Sequence, residues 1–250
     1  MDERSRQLAE GLQSVRTRID EACRVAGRDP HSVTLIVVTK TWPSSDIDIL
    51  AGLGVGDVGE NRVDELRRKT SDIPQTPLRW HFIGQIQTKK AGHVAAVADV
   101  VHSVDRLRLA ESLQRAAQRH DRVLDVFIQV SLDQLGVDQT LDTARASPES
   151  PAVPHERGGA DPSDLMPLAD AVAASPNLRL VGVMCLPPQE MDADVAFARL
   201  QQVSLELQQS HPEARSISAG MSHDLESALS HGATHVRIGT AILGTRSTVR

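Results

Sequence analysis

A lysine closes an apolar run. In "VTLIVVTKTWPSS", residues 33–45, the segment from Val33 to Thr39 consists of apolar and β-branched residues, as a strand buried on both faces requires, and Lys40 follows directly. An amine there has little room to reach water. Desolvation is expected to lower its pKa and leave it a nucleophile toward aldehydes, the chemistry of a Schiff base. An ion pair with a carboxylate such as Glu60 accounts for the same lysine equally well. Two later segments point to an anion. "SAGMSHDLE" puts Gly220 and Ser222 just ahead of a helical stretch with Asp224 in its first turn, and "RIGTAILG" puts Gly239 and Thr240 just after an apolar run. Backbone N–H groups at such turns suit a phosphate, although glycines at turns are also plain steric necessities. A ligand carrying both an aldehyde and a phosphate would explain both features.

These residues need a scaffold that brings distant segments together. Eight short apolar runs, at 33–40, 55–61, 79–86, 99–105, 123–133, 178–186, 215–220 and 234–241, alternate with helical stretches near 44–53, 61–70, 88–97, 105–120, 163–175, 190–209 and 222–231. Strict alternation implies parallel strands with right-handed crossovers, and eight such units in 250 residues match one (β/α)8 TIM barrel, with an open doubly wound sheet as the alternative. In a barrel the C-terminal strand ends share one mouth, where Lys40, Glu60 with Asn61, His81 to Gly84, Ser103 with Asp105, Ser131, Met184, Ser218 to Ser222 and Arg237 to Thr240 would meet. Ahead of the barrel, Leu8, Leu12, Val15, Ile19 and Ala22 recur at helical spacing, predicting an extra N-terminal helix over 3–26 that ends at Gly27. The whole chain, 1–250, reads as a single barrel domain, with a Pro-, Ser- and Asp-rich insertion at 134–160 after strand five that is expected to be flexible.

Composition narrows the chemistry. There is no tyrosine, so no step can rely on a phenol from this chain, and with three Phe and two Trp the core must be aliphatic. The net charge, 27 − 33 = −6, is spread along the sequence and offers no basic stripe for nucleic acid. Two distant cysteines, Cys23 and Cys185, predict reduced, buried thiols in a cytoplasmic protein. The charged N-terminal segment and the lack of any apolar run near 18 residues predict neither a secretion signal nor a membrane span. His223, His231 and His235 lack metal-ligand spacing and read as surface or helix-end residues. His81 reads as hydrogen-bonded inside the barrel, Asp105 as a helix N-cap, and Met184 with Cys185 as a floor beneath the ligand.

Taken together, "VTKTWP", "VGENRVDEL", "WHFIGQIQTKK", "VHSVDRLRLAESL", "LVGVMCLPP" and "SAGMSHDLESALSHGATHVRIGTAILGTR" resemble the pyridoxal 5′-phosphate homeostasis protein family, single-barrel relatives of the alanine racemase N-terminal domain. The resemblance covers nearly the whole chain in order, apart from the N-terminal helix and the insertion. It implies that Lys40 forms an internal aldimine with pyridoxal 5′-phosphate. It further implies that Ser222, Gly239 and Thr240, with backbone amides around Gly220 and Met221, hold the phosphate end, that Ser218 also belongs to the cofactor site, that Asn61 lines the flank, and that Arg237 faces the pyridine nitrogen. A guanidinium only donates, so that nitrogen would stay unprotonated and make the ring a poorer electron sink. Racemases of this kind take their second base from a tyrosine on an additional domain, so the resemblance implies a cofactor carrier, handing its cargo to apoenzymes, rather than a racemase, while the lack of an obvious exposed apolar stripe in the sequence predicts a monomer. A small racemase or lyase using His81, Lys89 or Ser131 as second base, and a Schiff-base aldolase, are the alternatives. The chain departs from the family at Arg62, where an aromatic is usual, and at Lys89, where asparagine is usual. Lys89 and Lys90 are therefore candidate temporary acceptors of the aldehyde, or simply a solvated helix start. The segment Arg157 to Gly159 stands where the family has a "SG" after strand five.

Overall fold

The eight apolar runs pair in sequence order, all parallel, and close on themselves through β1 and β8 in the computed structural model of the chain. The structure describes residues 2–132, 158–188 and 190–245. The strands are β1 (Thr34–Val38), β2 (Asp57–Glu60), β3 (Arg79–Phe82), β4 (Val100–Val104), β5 (Leu124–Gln129), β6 (Leu178–Met184), β7 (Ser216–Ser218) and β8 (His235–Ile238). Each ladder stops short of the end of its apolar run, so several polar residues expected on strands sit on the loops just beyond them. The barrel is closed, and the open-sheet alternative falls.

Helices α1 (Glu3–Val25), α2 (Ser44–Gly52), α3 (Val63–Asp72), α4 (Ala91–Ala95), α5 (Leu107–Arg119), α6 (Leu165–Ala173), α7 (Ala193–Ser210) and α8 (Leu225–Ser230) match the predicted stretches. One more helix, α9 (Thr240–Leu243), follows β8, and its first two residues fall within the eighth apolar run at 234–241. The sequence places Asp105 as the cap of α5, but Arg106 holds that position, and the Asp105 carboxylate pairs with Arg106 instead.

The Asp2 carboxylate accepts from the Ser5 N–H and starts α1, whose buried Leu8, Leu12, Val15, Ile19 and Cys23 form one stripe. Each large aliphatic side chain so buried contributes on the order of 1.5–3 kcal/mol. Arg4 pairs with Asp46 at 2.6 Å and Arg18 with Glu226 at 2.7 Å, tying α1 to α2 and α8. The main core lies between strands and helices and is almost wholly aliphatic. Inside the barrel a separate small cluster, Val100, Phe127 and Met184, is joined by buried His81, His102 and Ser218. Most barrels fill this space with branched aliphatics, so the polar interior is a property of this sequence.

The insertion expected at 134–160 lies largely outside the described residues. At its end, Ala160 bridges to Val130, and Gly159, at φ +121°, packs so close that a Cβ would come within 2.6 Å of the Ser131 N. The chain thus rejoins the barrel at the end of β5. No helix among the described residues is long and apolar enough to cross a membrane.

Candidate functional site

At the C-terminal ends of the strands a cavity of about 480 Å³ opens. Lys40 reaches it from beyond β1, Asn61 from beyond β2, Ile83 to Gln85 from beyond β3, Gln129 from β5, and Leu186 from beyond β6. Met221 to His223 follow β7, and Arg237, Gly239 and Thr240 close the ring from β8. Of the residues assigned from sequence, Lys40, Asn61, Met221, Ser222, Arg237, Gly239 and Thr240 meet here. Ser218 and Gly220 fall outside this lining, as do Met184, Cys185, Lys89 and Lys90. Sequence reading missed Gln85, Gln129, Leu186 and His223 as lining residues. The first three look like ordinary strand-end and loop residues, and His223 like a surface one.

Lys40 is exposed, two residues past the last residue of β1. It is not the desolvated strand residue the sequence implied, because the ladder ends at Val38 and the chain turns. Nor does it pair with Glu60. That carboxylate, fully buried, meets the fully buried Lys69 at 2.6 Å and the Thr39 hydroxyl at 2.6 Å. Lys69 comes from α3, in the basic run "RRK". Its ammonium also donates to the Thr39 carbonyl (2.8 Å) and to Glu65 (3.5 Å), and Glu65 in turn accepts from the Thr41 N–H at 2.7 Å. Thr41 holds φ +67°, a left-handed conformation unfavourable for a β-branched residue. The turn that presents Lys40 is therefore held on both sides, through the carbonyl before it and the amide after it. Burial pushes Glu60 up, opposed by the Lys69 and Thr39 hydrogen bonds.

Close approach governs the neighbouring loop. A Cβ on Gly84 would fall 2.2 Å from the Asn61 carbonyl, so only glycine lets the ends of β2 and β3 come together here. Asn61 Oδ1 is buried with no hydrogen-bond partner, as is Glu60 Oε2. Such orphans are uncommon, and one on a cavity wall marks an acceptor open to a ligand.

On the opposite wall Arg237 is 4% exposed. Its Nη1 donates to Ser218 Oγ at 2.6 Å and its Nη2 to the Cys185 carbonyl at 2.9 Å. Burial weakens its cationic form, though a guanidinium stays protonated. Beneath it, His102 bonds to Ser218, and His81 bonds to His102 and Asp57, so His81 is indeed satisfied inside the barrel. His235 is not a surface residue as expected. It lies partly buried at the base of β8, and burial pulls its pKa down to about 4.

Between β7 and α9 the loops are clipped together by the Ser222 Oγ, which accepts from the Ala241 N–H at 3.3 Å. Gly220, at φ +92°, has the Ala228 Cβ 2.7 Å from where its own would be. The Met221 N–H is taken by the Asp224 carboxylate, which leaves the Ser222 and Thr240 hydroxyls as the side-chain donors at this end. Both cysteines are buried, and burial pushes the Cys185 thiol up to about 12, so it is inert. Among the described residues no three His, Cys, Asp or Glu side chains are grouped to hold a metal.

An exposed amine, a buried guanidinium, two hydroxyls and an orphan acceptor thus surround one cavity. That set fits a small ligand with an electrophilic carbon, an acceptor atom in a ring and an anionic tail. The alanine racemase N-terminal domain profile matches residues 12–247. The chain is 38% identical over 242 residues to the pyridoxal phosphate homeostasis protein of Pseudomonas aeruginosa, covering 96% of each. It is 40% identical over 239 residues to the protein of the same name from Corynebacterium glutamicum, covering 93% of this chain and 99% of that one. PipY of Synechococcus elongatus, solved with PLP bound, superposes with a TM-score of 0.77 at 31% identity, over 95% of this chain and 100% of PipY.

Proposed function

Since the chain belongs to the pyridoxal phosphate homeostasis protein family, built on the alanine racemase N-terminal domain, we propose that it binds pyridoxal 5′-phosphate and keeps the free aldehyde low without turning over amino acids. The observation that carries this reading is that Lys40, Arg237, Ser222 and Thr240 line one cavity. Lys40 would hold the aldehyde end, Asn61 would line the flank, Arg237 would face the ring nitrogen as a donor, and the Ser222 and Thr240 hydroxyls with Gly239 would hold the phosphate. When bound, the cofactor supplies an electrophilic carbon and an electron-withdrawing ring. A donor-only partner at the ring nitrogen keeps that withdrawal weak. Release to apoenzymes in the cytosol, by a monomer, completes the role.

Several observations favour a holder over a catalyst. The chain has no tyrosine. Of the second bases considered, His81 is buried beneath the cavity with both ring nitrogens engaged, and neither Lys89 nor Ser131 lines it. Among the described lining residues the titratable side chains are Lys40, Arg237 and an exposed His223. The experiment is a comparison of two ligands. Thr240→Val with Ser222→Ala should weaken pyridoxal 5′-phosphate by about tenfold or more, from two lost hydrogen bonds to a charged group, and pyridoxal by about twofold or less. Equal losses would rule out this phosphate site.

A further inference from the structure

Below the cavity, Arg237 heads a chain of groups that the proposed function otherwise leaves unused. Arg237 Nη1 donates to Ser218 Oγ (2.6 Å), Ser218 Oγ meets His102 Nδ1 (2.9 Å), His102 Nε2 meets His81 Nδ1 (2.9 Å), and His81 Nε2 meets Asp57 Oδ1 (2.8 Å). His81, His102 and Ser218 are fully buried, and the His102 ring is stacked on Phe127 with centroids 4.4 Å apart. Asp57 is at the other end of the barrel. Its side chain is 25% exposed and lines a separate cavity at the N-terminal strand ends with Arg16, Thr34 and Val55.

Counting donors fixes every hydrogen in this chain. An ionised carboxylate only accepts, so His81 Nε2 carries its proton, and in a neutral ring Nδ1 then accepts. His102 must give it a proton from Nε2, so His102 Nδ1 accepts in turn. Ser218 has one hydrogen, which goes to His102, and its oxygen accepts from Arg237, which can only donate. With both imidazoles neutral, a single orientation satisfies all four bonds. Burial favours this state, since it pulls the pKa of both histidines down.

We propose that Asp57, His81, His102 and Ser218 are positioning residues: a one-way hydrogen-bond chain, polarised by Asp57 at the base of the barrel, that locks the Arg237 guanidinium in the orientation that donates to the ligand's ring nitrogen. The inference rests on the reading that Arg237 meets that nitrogen. It adds that the specificity of the mouth depends on a carboxylate at the opposite end, which is outside the residues lining the binding cavity.

Asp57→Asn is the central variant, because an amide can donate as well as accept and removes the single orientation while keeping the shape. Two readouts test it. In the first, imidazole 15N spectra of the wild-type protein without ligand should assign His81 and His102 as Nε2–H tautomers, and in Asp57→Asn both should become mixtures. In the second, affinities are measured for pyridoxal 5′-phosphate and for its 1-deaza analogue, in which carbon replaces the ring nitrogen. Wild type should prefer the natural cofactor by about tenfold or more, the worth of a hydrogen bond to a charged donor. Asp57→Asn should shrink that preference severalfold by weakening the natural cofactor alone. His102→Gln, which can accept from Ser218 and donate to residue 81, should retain it. A pure Nδ1–H tautomer at His102 in wild type, or equal losses for both ligands in Asp57→Asn, would overturn the proposal. A wild type that does not distinguish the two ligands would instead overturn the Arg237 reading, and the spectra would still decide the chain.

Discussion

Two buried polar networks lie beneath the same cavity and are built on opposite principles. Under Lys40, a fully buried ammonium, Lys69, faces Glu60 and Glu65, and the charges lie within one loop, strand and helix. Under Arg237, two neutral imidazoles and a hydroxyl connect a buried cation to a carboxylate across the barrel. The first holds backbone: it fixes the turn at Thr39 and Thr41 from which Lys40 projects. The second holds a side chain. A loop that must keep a strained Thr41 needs strong, local attraction, whereas orienting a guanidinium needs only that each partner be a donor or an acceptor without ambiguity.

The two should fail differently. The neutral network is the one acid should break, and its effect is the largest expected. Burial holds His81 and His102 below the ordinary value of 6.5, His102 far below, and takes His235 to about 4. Between about pH 6.5 and 4 the unfolded chain binds protons that the fold does not. This stability is complete above the unfolded value and is lost as pH falls through that window. His235, at about 4, removes roughly 2 kcal/mol by pH 5, and the lowered His81 and His102 deepen the loss in the same direction. Urea midpoints measured from pH 7.5 to 5 should fall steeply, and a flat profile would mean that the fold binds protons at these histidines as readily as the unfolded chain does.

The ionic network should break on loss of a partner. Lys69→Met leaves Glu60 buried without its cation and should cost about 3–5 kcal/mol, most of it recovered when Glu60→Gln is added. Denaturation at pH 7.5 reads both values. No recovery in the double variant would place the cost in packing rather than in the stranded charge.

The scaffold was far more legible than these networks. Parallel strands covered on both faces must be continuous apolar runs, so eight runs marked eight strands, and the glycines and hydroxyls at their ends marked the mouth. Lys69 was not legible, because a lysine in "RRK" on an amphipathic helix looks solvated, and only the closeness of α3 to the end of β1 buries it. His81 could be placed inside the barrel, yet its links to His102, Ser218 and Asp57 join β2, β3, β4 and β7, a proximity that periodicity along one strand does not encode. Lys40 was singled out for a burial it does not have. Its position two residues past the ladder was set by where β1 stops pairing, which no local pattern announced.

The most direct measurement is borohydride reduction of the protein mixed with pyridoxal 5′-phosphate, followed by peptide mass spectrometry, in the wild type and in Lys40→Ala. A single reduced adduct on Lys40, absent together with the visible absorbance band in Lys40→Ala, is the expected result. An adduct of equal yield on Lys89 or Lys90, or an absorbance band that survives Lys40→Ala, would contradict the assignment of Lys40 as the residue that holds the cofactor.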